Sequence, residues 1–239
     1  MAKFAGAIVR ATVLPPYRFR RYLEELYNLG VLSLIIVCIS GLAVGMVLGL
    51  QGYNTLVRFG AESSLGAVVG LSLIRELGPV LSALLVTGRA GSATAAEIAS
   101  MVTTEQLDGL RMMSIDPVSF VVSPKAVAMV AVMPMLNALF ILFGIAGAYL
   151  IGVTLMGLDA GVFTSSLTSN VRFGEDVMGS LVKALVFGAL AGLIATFRGY
   201  FSTPTAAGVS AATTSTVVIT SVAILIGDYF LTALWGIEL

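Results

Sequence analysis

Histidine is absent from the 239 residues, cysteine occurs once, and only 11% of residues are charged. Without histidine there is neither an imidazole proton shuttle nor the usual nitrogen ligand of a transition-metal site. Cys38 lies inside an apolar run, so no intrachain disulfide can form, and it carries no information on redox compartment. Thirteen Lys and Arg balance thirteen Asp and Glu, which removes the electrostatic argument for nucleic-acid binding. Also missing is any G-x-x-x-x-G-K-S/T phosphate loop, so this chain cannot hydrolyse ATP by that route, and an ATP-driven process would need a separate ATPase chain. No catalytic residue, metal or resident cofactor is expected.

What is present is oil. The chain is 58% hydrophobic with a mean hydropathy of +1.01, whereas soluble domains carry about a quarter charged residues. A helix crosses a bilayer with about 20 mostly apolar residues. Five stretches qualify, at 29–52, 65–88, 123–153, 178–198 and 213–236, and Pro134 offers the third a place to bend. The fold class is therefore an all-α membrane protein, read as one domain over 1–239. Lys3, Arg10, Arg18, Arg20, Arg21, Arg89, Arg111, Lys125 and Arg198 gather on one side, against Arg58 and Arg172 on the other, accompanied there by the acids Glu62, Asp159, Glu175 and Asp176. The first side is the cytoplasmic one by the positive-inside rule, which puts the N-terminus inside and the C-terminus outside.

Residues 1–28 read as an amphipathic helix on the cytoplasmic surface, with Tyr17, Phe19, Tyr22, Leu23, Leu26 and Tyr27 interleaved among arginines. A basic tail is the alternative. A cleaved signal is disfavoured, because charged residues stand where a small-residue cleavage site would be. The segment 89–122 is rich in helix formers and is expected to fold as a helical hairpin or bent helix across the membrane face, stopped by Asp116-Pro117 and Ser123-Pro124. A short external helix is expected after Asp159. Gly41, Gly45 and Gly49 form overlapping GxxxG steps on span one, with similar stripes at Ala184/Gly188/Gly192 and Gly66/Gly70. Such flat faces suit close helix packing, within the chain or between copies.

Four ionisable residues fall within spans: Arg75, Glu76, Lys183 and Asp228. A charge at bilayer depth costs several kcal/mol unless it has a partner, a wet cavity or a function. Pro79 removes the hydrogen bond to the Arg75 carbonyl, so the helix should be disturbed beside the charged pair. Broken helices next to charge recur at substrate sites. The structural alternative is that Glu76 pairs with Lys183, and Arg75 or Lys183 with Asp228, to hold the bundle together. Gln51, Tyr53 and Asn54, beside Leu56 and Phe59, could form a mouth for an amphipathic ligand. Leu107, Leu110, Met112 and Met113, set between Glu105 and Asp108, suit a surface helix that docks on a partner protein.

Several blocks, in order, resemble the MlaE permease family: Tyr27 to Ser33, Gly45 to Tyr53, Leu73 to Pro79, Gly88 to Ala93, Ala96 to Ile98 and Thr104 to Gln106. The resemblance runs from about residue 22 to the C-terminus. It implies an N-terminal interfacial helix (1–28), a five-helix transmembrane bundle (29–236) and a cytoplasmic coupling helix at roughly 94–114. It also implies two copies of the permease, an ABC ATPase subunit, a STAS-domain protein and an MCE-domain periplasmic protein in one inner-membrane machine. The implied function is ATP-driven movement of phospholipids between inner and outer membranes, maintaining outer-membrane lipid asymmetry. Leu48, Leu56, Phe59, Arg75, Glu76 and Leu77 would line the lipid site, with Lys183 and Asp228 as buried charges. Glu97, Glu105 and Asp108 would meet the ATPase. Phe59 stands where the family pattern leads one to expect tyrosine. Two other functions compete: an ion-coupled secondary carrier using Glu76, Lys183 and Asp228, and a non-transporting scaffold for an MCE ring.

Overall fold

A computed structural model describes residues 1–13 and 19–236. Among them every regular element is a helix, and five helices are long and apolar enough to cross a membrane: Arg20–Phe59, Glu62–Thr103, Val118–Leu155, Phe173–Tyr200 and Ala206–Leu234. The all-α, five-span class expected from the sequence is what is found. Tyr17 and Arg18 of the expected interfacial helix lie outside the described residues.

The N-terminal part is two helices, α1 (Ala2–Val13) and α2 (Phe19–Gly30). Helix α1 buries Phe4 and Ile8 against Val122 and Ala126, with Leu193, Phe197 and Tyr200 packed around them. Helix α2 runs through a 3-10 turn, Val31–Ser33, into α3 (Leu34–Leu56), which completes span one. Span two strings together α4 (Leu65–Ser72), α5 (Gly78–Val86) and α6 (Ser92–Thr103), joined by π-helical turns at Leu73–Leu77 and Thr87–Gly91. It does not stop near residue 88 as expected. Its apolar inner face continues through Ala95, Ile98 and Ala99, all fully buried, so only α7 (Gln106–Met112) turns away. That turn is made at Glu105 and closed at Ser114, both in left-handed backbone (φ 57° and 58°).

Asp116-Pro117 is a true boundary. Ser123-Pro124 is not, because the helix runs on from the π-helical turn Val118–Val122 into α8 (Ser123–Tyr149), and the Phe120 carbonyl four residues before Pro124 accepts from Arg21 Nη1 at 3.2 Å. Helix α9 (Ala160–Asn170) begins where the sequence placed it, with Asp159 accepting a hydrogen bond from the Val162 amide (3.0 Å). Spans four and five are α10 (Met178–Tyr200) and α11 (Ala206–Gly236).

Helix α8 is the hub, and the glycine stripes explain why. A Cβ on Gly41, Gly45 or Gly49 would press on the backbone of Phe140, Gly144 or Ala148 of α8. Gly188 and Gly192 of α10 meet α8 from another side, at Met129, Val130 and Ala126. Gly66 and Gly70 of α4 receive Phe163 and Leu167 of α9. The small-residue faces are thus spent within the chain, as backbone-to-backbone packing where lipid supplies no hydrophobic drive.

Gly45→Ala should therefore force α3 off α8 and cost about 1–3 kcal/mol, the usual scale of overpacking. Gly6→Ala, whose new Cβ would meet nothing within 4 Å, should be neutral or slightly stabilising. Thermal melting in detergent distinguishes the two, and equal midpoints would contradict the packing described.

Candidate functional site

Pro79 has no N–H to offer the carbonyl of Arg75. The ladder around that carbonyl widens into the π-helical turn Leu73–Leu77, with the Gly78 amide bonding back to the Leu73 carbonyl. Lys183 of span four fills the vacancy: its Nζ donates to the Arg75 carbonyl at 2.9 Å. The same ammonium donates to Glu76 Oε2 (2.9 Å) and to Thr232 Oγ1 (2.8 Å). A backbone carbonyl, a carboxylate and a hydroxyl from spans two and five thus take up the three protons of a lysine that is only 6% exposed.

Asp228 Oδ1 lies 3.1 Å from the same nitrogen, yet this buried oxygen receives no hydrogen bond. The ammonium has run out of protons, so the fourth contact is purely ionic. With both carboxyls ionised, the cluster carries one negative charge more than Lys183 neutralises. Thr232 also lies within hydrogen-bonding distance of both Glu76 oxygens (3.3 and 3.2 Å).

Arg75 points elsewhere, since adjacent helical residues diverge by about 100°. Its Nε donates to Asp176 Oδ1 at 2.6 Å. The second oxygen of Asp176 accepts from the Arg172 amide (2.7 Å) at the start of span four, where a carboxylate is favoured by the exposed amides. Asp176 is 4% exposed. Asp176 and Lys183 are seven residues apart, about two turns on one face of span four. One face of one helix thus anchors both members of the charged pair.

Sequence reasoning anticipated Glu76 with Lys183 and offered either Arg75 or Lys183 as the partner of Asp228, of which Lys183 is the one found. It missed Asp176, which it counted among the external loop acids. The usable signal was an intramembrane arginine needing an acid, and Asp176 opens an apolar helix. The outer surfaces of the pair remain accessible: the side chains of Arg75 and Glu76 are 48% and 42% exposed. Leu48, Leu56 and Leu77 are half-buried against the main core. Phe59 stands apart in the turn after α3, 79% exposed. Tyr53 is drawn inward, its hydroxyl donating to the Met156 carbonyl. The structure thus leaves Arg75 and Glu76 accessible on span two, packs Leu48, Leu56 and Leu77 against the core, and sets Phe59 apart from them. Two apolar cavities of 420 and 310 Å³ lie elsewhere, between α1, α2 and the neighbouring spans.

At the opposite end a second lysine is buried. Lys125, 4% exposed, bridges Glu25 of α2 and Glu97 of α6, each at 2.8 Å. Glu97 therefore holds α6 to the bundle, though half its side chain stays accessible. Glu105 is exposed at the turn, and Asp108 pairs with Arg111, whose other arm donates to the Tyr200 hydroxyl (2.7 Å).

Comparison with known proteins agrees with this architecture. The family model described as "Permease MlaE" matches residues 22–234. The Haemophilus influenzae "Intermembrane phospholipid transport system permease protein MlaE" is 49% identical over 90% of this chain and 83% of its own length. A "Probable ABC transporter permease protein" of Rickettsia felis is 42% identical over 97% and 89%. The chloroplastic "Protein TRIGALACTOSYLDIACYLGLYCEROL 1" of Arabidopsis thaliana is 32% identical over 96% of this chain and 65% of that protein.

Lys183→Met should strand two carboxylates against each other and cost about 3–5 kcal/mol, the scale for breaking a buried pair from one side. Adding Glu76→Gln and Asp228→Asn should recover most of that loss. Melting of the purified variants in detergent is the check, and a wild-type midpoint for the single variant would show that the cluster does not hold the spans.

Proposed function

The chain belongs to the MlaE permease family, and from that membership we propose that it is the membrane subunit of an ATP-driven ABC transporter of phospholipids. The observation that carries this reading is the half-exposed Arg75–Glu76 pair, deep within an apolar five-span bundle. Hydrocarbon does not solvate charge, so the accessible arms of Arg75 and Glu76 call for a polar cover. A phospholipid supplies one: phosphate for the guanidinium, with acyl chains against Leu48, Leu56, Leu77 and Phe59. Lys183, already saturated by its neighbours, sets the position of Glu76 rather than meeting the lipid.

In this reading the ATPase is a separate chain that docks on α7. The helix projects beyond the bundle, exposes Met112 and Met113, and carries Glu105 and Asp108 at its start. Its acidic side chains favour a protein groove over an anionic membrane surface. Two copies of the permease, a STAS-domain protein inside and an MCE-domain protein outside complete the machine. Its setting is the bacterial inner membrane, with the N-terminus cytoplasmic and the C-terminus periplasmic. Its work is exchange between the two membranes that preserves outer-membrane lipid asymmetry.

Arg75→Ala should abolish lipid movement in proteoliposomes of the assembled complex while leaving copurification of the ATPase intact. Loss of assembly together with transport would favour a scaffold role instead. Glu105→Arg combined with Asp108→Arg should release the ATPase without lowering the melting temperature of the permease. Wild-type recovery of the ATPase on this double variant would move the dock away from α7.

A further inference from the structure

Two polar clamps join the end of span two to the head of span one. Arg89 donates through Nη1 to the Asn28 carbonyl (2.8 Å) and to Ser33 Oγ (3.1 Å). Ser33 in turn donates to the Leu29 carbonyl (2.6 Å). These contacts straddle the 3-10 turn Val31–Ser33, the one interruption between α2 and α3. Eight residues further along span two, about two turns and on the same face, Glu97 reaches Lys125 of α8 at 2.8 Å. Lys125 passes the link on to Glu25 of α2, also at 2.8 Å.

Helix α7 is tied to the bundle by an apolar cluster and one exposed polar contact. It buries Leu107, which joins Ile98 of α6 and Val121 at the start of span three, and Arg111 donates to the Tyr200 hydroxyl of α10 at 2.7 Å. Apolar and solvent-exposed contacts of this kind can shift at low cost. A lysine that is 4% exposed cannot part from its carboxylates so cheaply, because separation leaves charge buried and unpaired. Displacement of α6 and α7 is therefore opposed at the Lys125 link, in addition to the packing of α6 on α10 and α11.

We propose that Lys125, held between Glu25 and Glu97, is a positioning residue that transmits movement of the α6–α7 hairpin to the 3-10 joint at the head of span one. The inference rests on the ATPase-driven reading above and assigns a route within it. Arg89 fixes the joint, and Lys125 delivers the displacement. Span one carries Leu48 and Leu56, so the route ends at the apolar wall of the candidate lipid site.

The test is the number of lipids moved per ATP hydrolysed by the assembled complex in proteoliposomes. The neutral double variant Glu25→Gln, Lys125→Met breaks the link and leaves Glu97, whose side chain is half exposed, to solvent. It should retain the ATPase and its basal hydrolysis while the lipid-to-ATP ratio falls about tenfold, within the usual range of coupling between sites. Lys125→Arg, which keeps a cation between the two carboxylates, should hold the ratio near wild type. A merely structural role would lower the melting temperature and leave the ratio of the surviving complexes unchanged. An unchanged ratio in the double variant, or an equal loss in Lys125→Arg, overturns the inference alone. Absence of ATP-dependent lipid movement by the wild-type complex would remove the transporter reading, and the inference with it.

Discussion

A lysine ammonium enclosed in an oily bundle must find acceptors for three protons, and this requirement organises the fold. It arises twice. Lys183 takes the carbonyl that Pro79 leaves open, together with Glu76 and Thr232, and holds Asp228 by charge alone. Lys125 takes Glu25 and Glu97. In both cases one cation joins two carboxylates from two different helices. Span two contributes to both clusters, through Glu76 and Glu97, so one continuous helix is pinned by lysines at two levels.

The two kinds of contact divide the work. Small residues let α3 and α10 approach α8 at backbone distance, which supplies dispersion over long interfaces but little resistance to sliding. The ion clusters supply the register. Because buried pairs gain little net stability after desolvation, their value here lies in fixing which residues face each other. Span two needs that most. Its ladder is interrupted by two π-helical turns, and a helix with a widened ladder would otherwise have several nearly equivalent seats.

Much of this was legible in the sequence. Hydropathy marks the five spans because nothing else explains so much apolar length, and Pro79 announces the open carbonyl of Arg75 by its chemistry. Asp159 starts α9 as a capping residue should. The rest depended on burial rather than on sidedness. Counting basic residues by membrane side groups Lys125 with Arg21 and Arg89 but says nothing of its burial. Asp176 was grouped with Glu175 as an external acid, although only Asp176 turns inward to Arg75. Hydropathy ended span two near residue 88, because Arg89 and Glu97 look like solvent residues when their partners on α2 and α8 are not in view. The accessible flank at Arg75 and Glu76 was legible as charge in a span, but its openness was not, because exposure belongs to the assembled helices and not to any one segment.

The length of span two carries the last consequence. Forty-two residues of helix rise roughly 60 Å at 1.5 Å each, about twice the hydrocarbon thickness of a bilayer. The excess is α6, which continues the helix of span two without a break and packs along α10 and α11. A hairpin carried on such an extension keeps the direction of the helix beneath it. A force applied at α7 would pass along span two, where lateral yielding is opposed first by Lys125 and then, roughly twenty residues on, by Lys183. A loop of the same length would absorb it in its own torsions. A helix secured by two buried cations would carry it to Glu76 and, through Lys125 and Glu25, to the joint between α2 and α3.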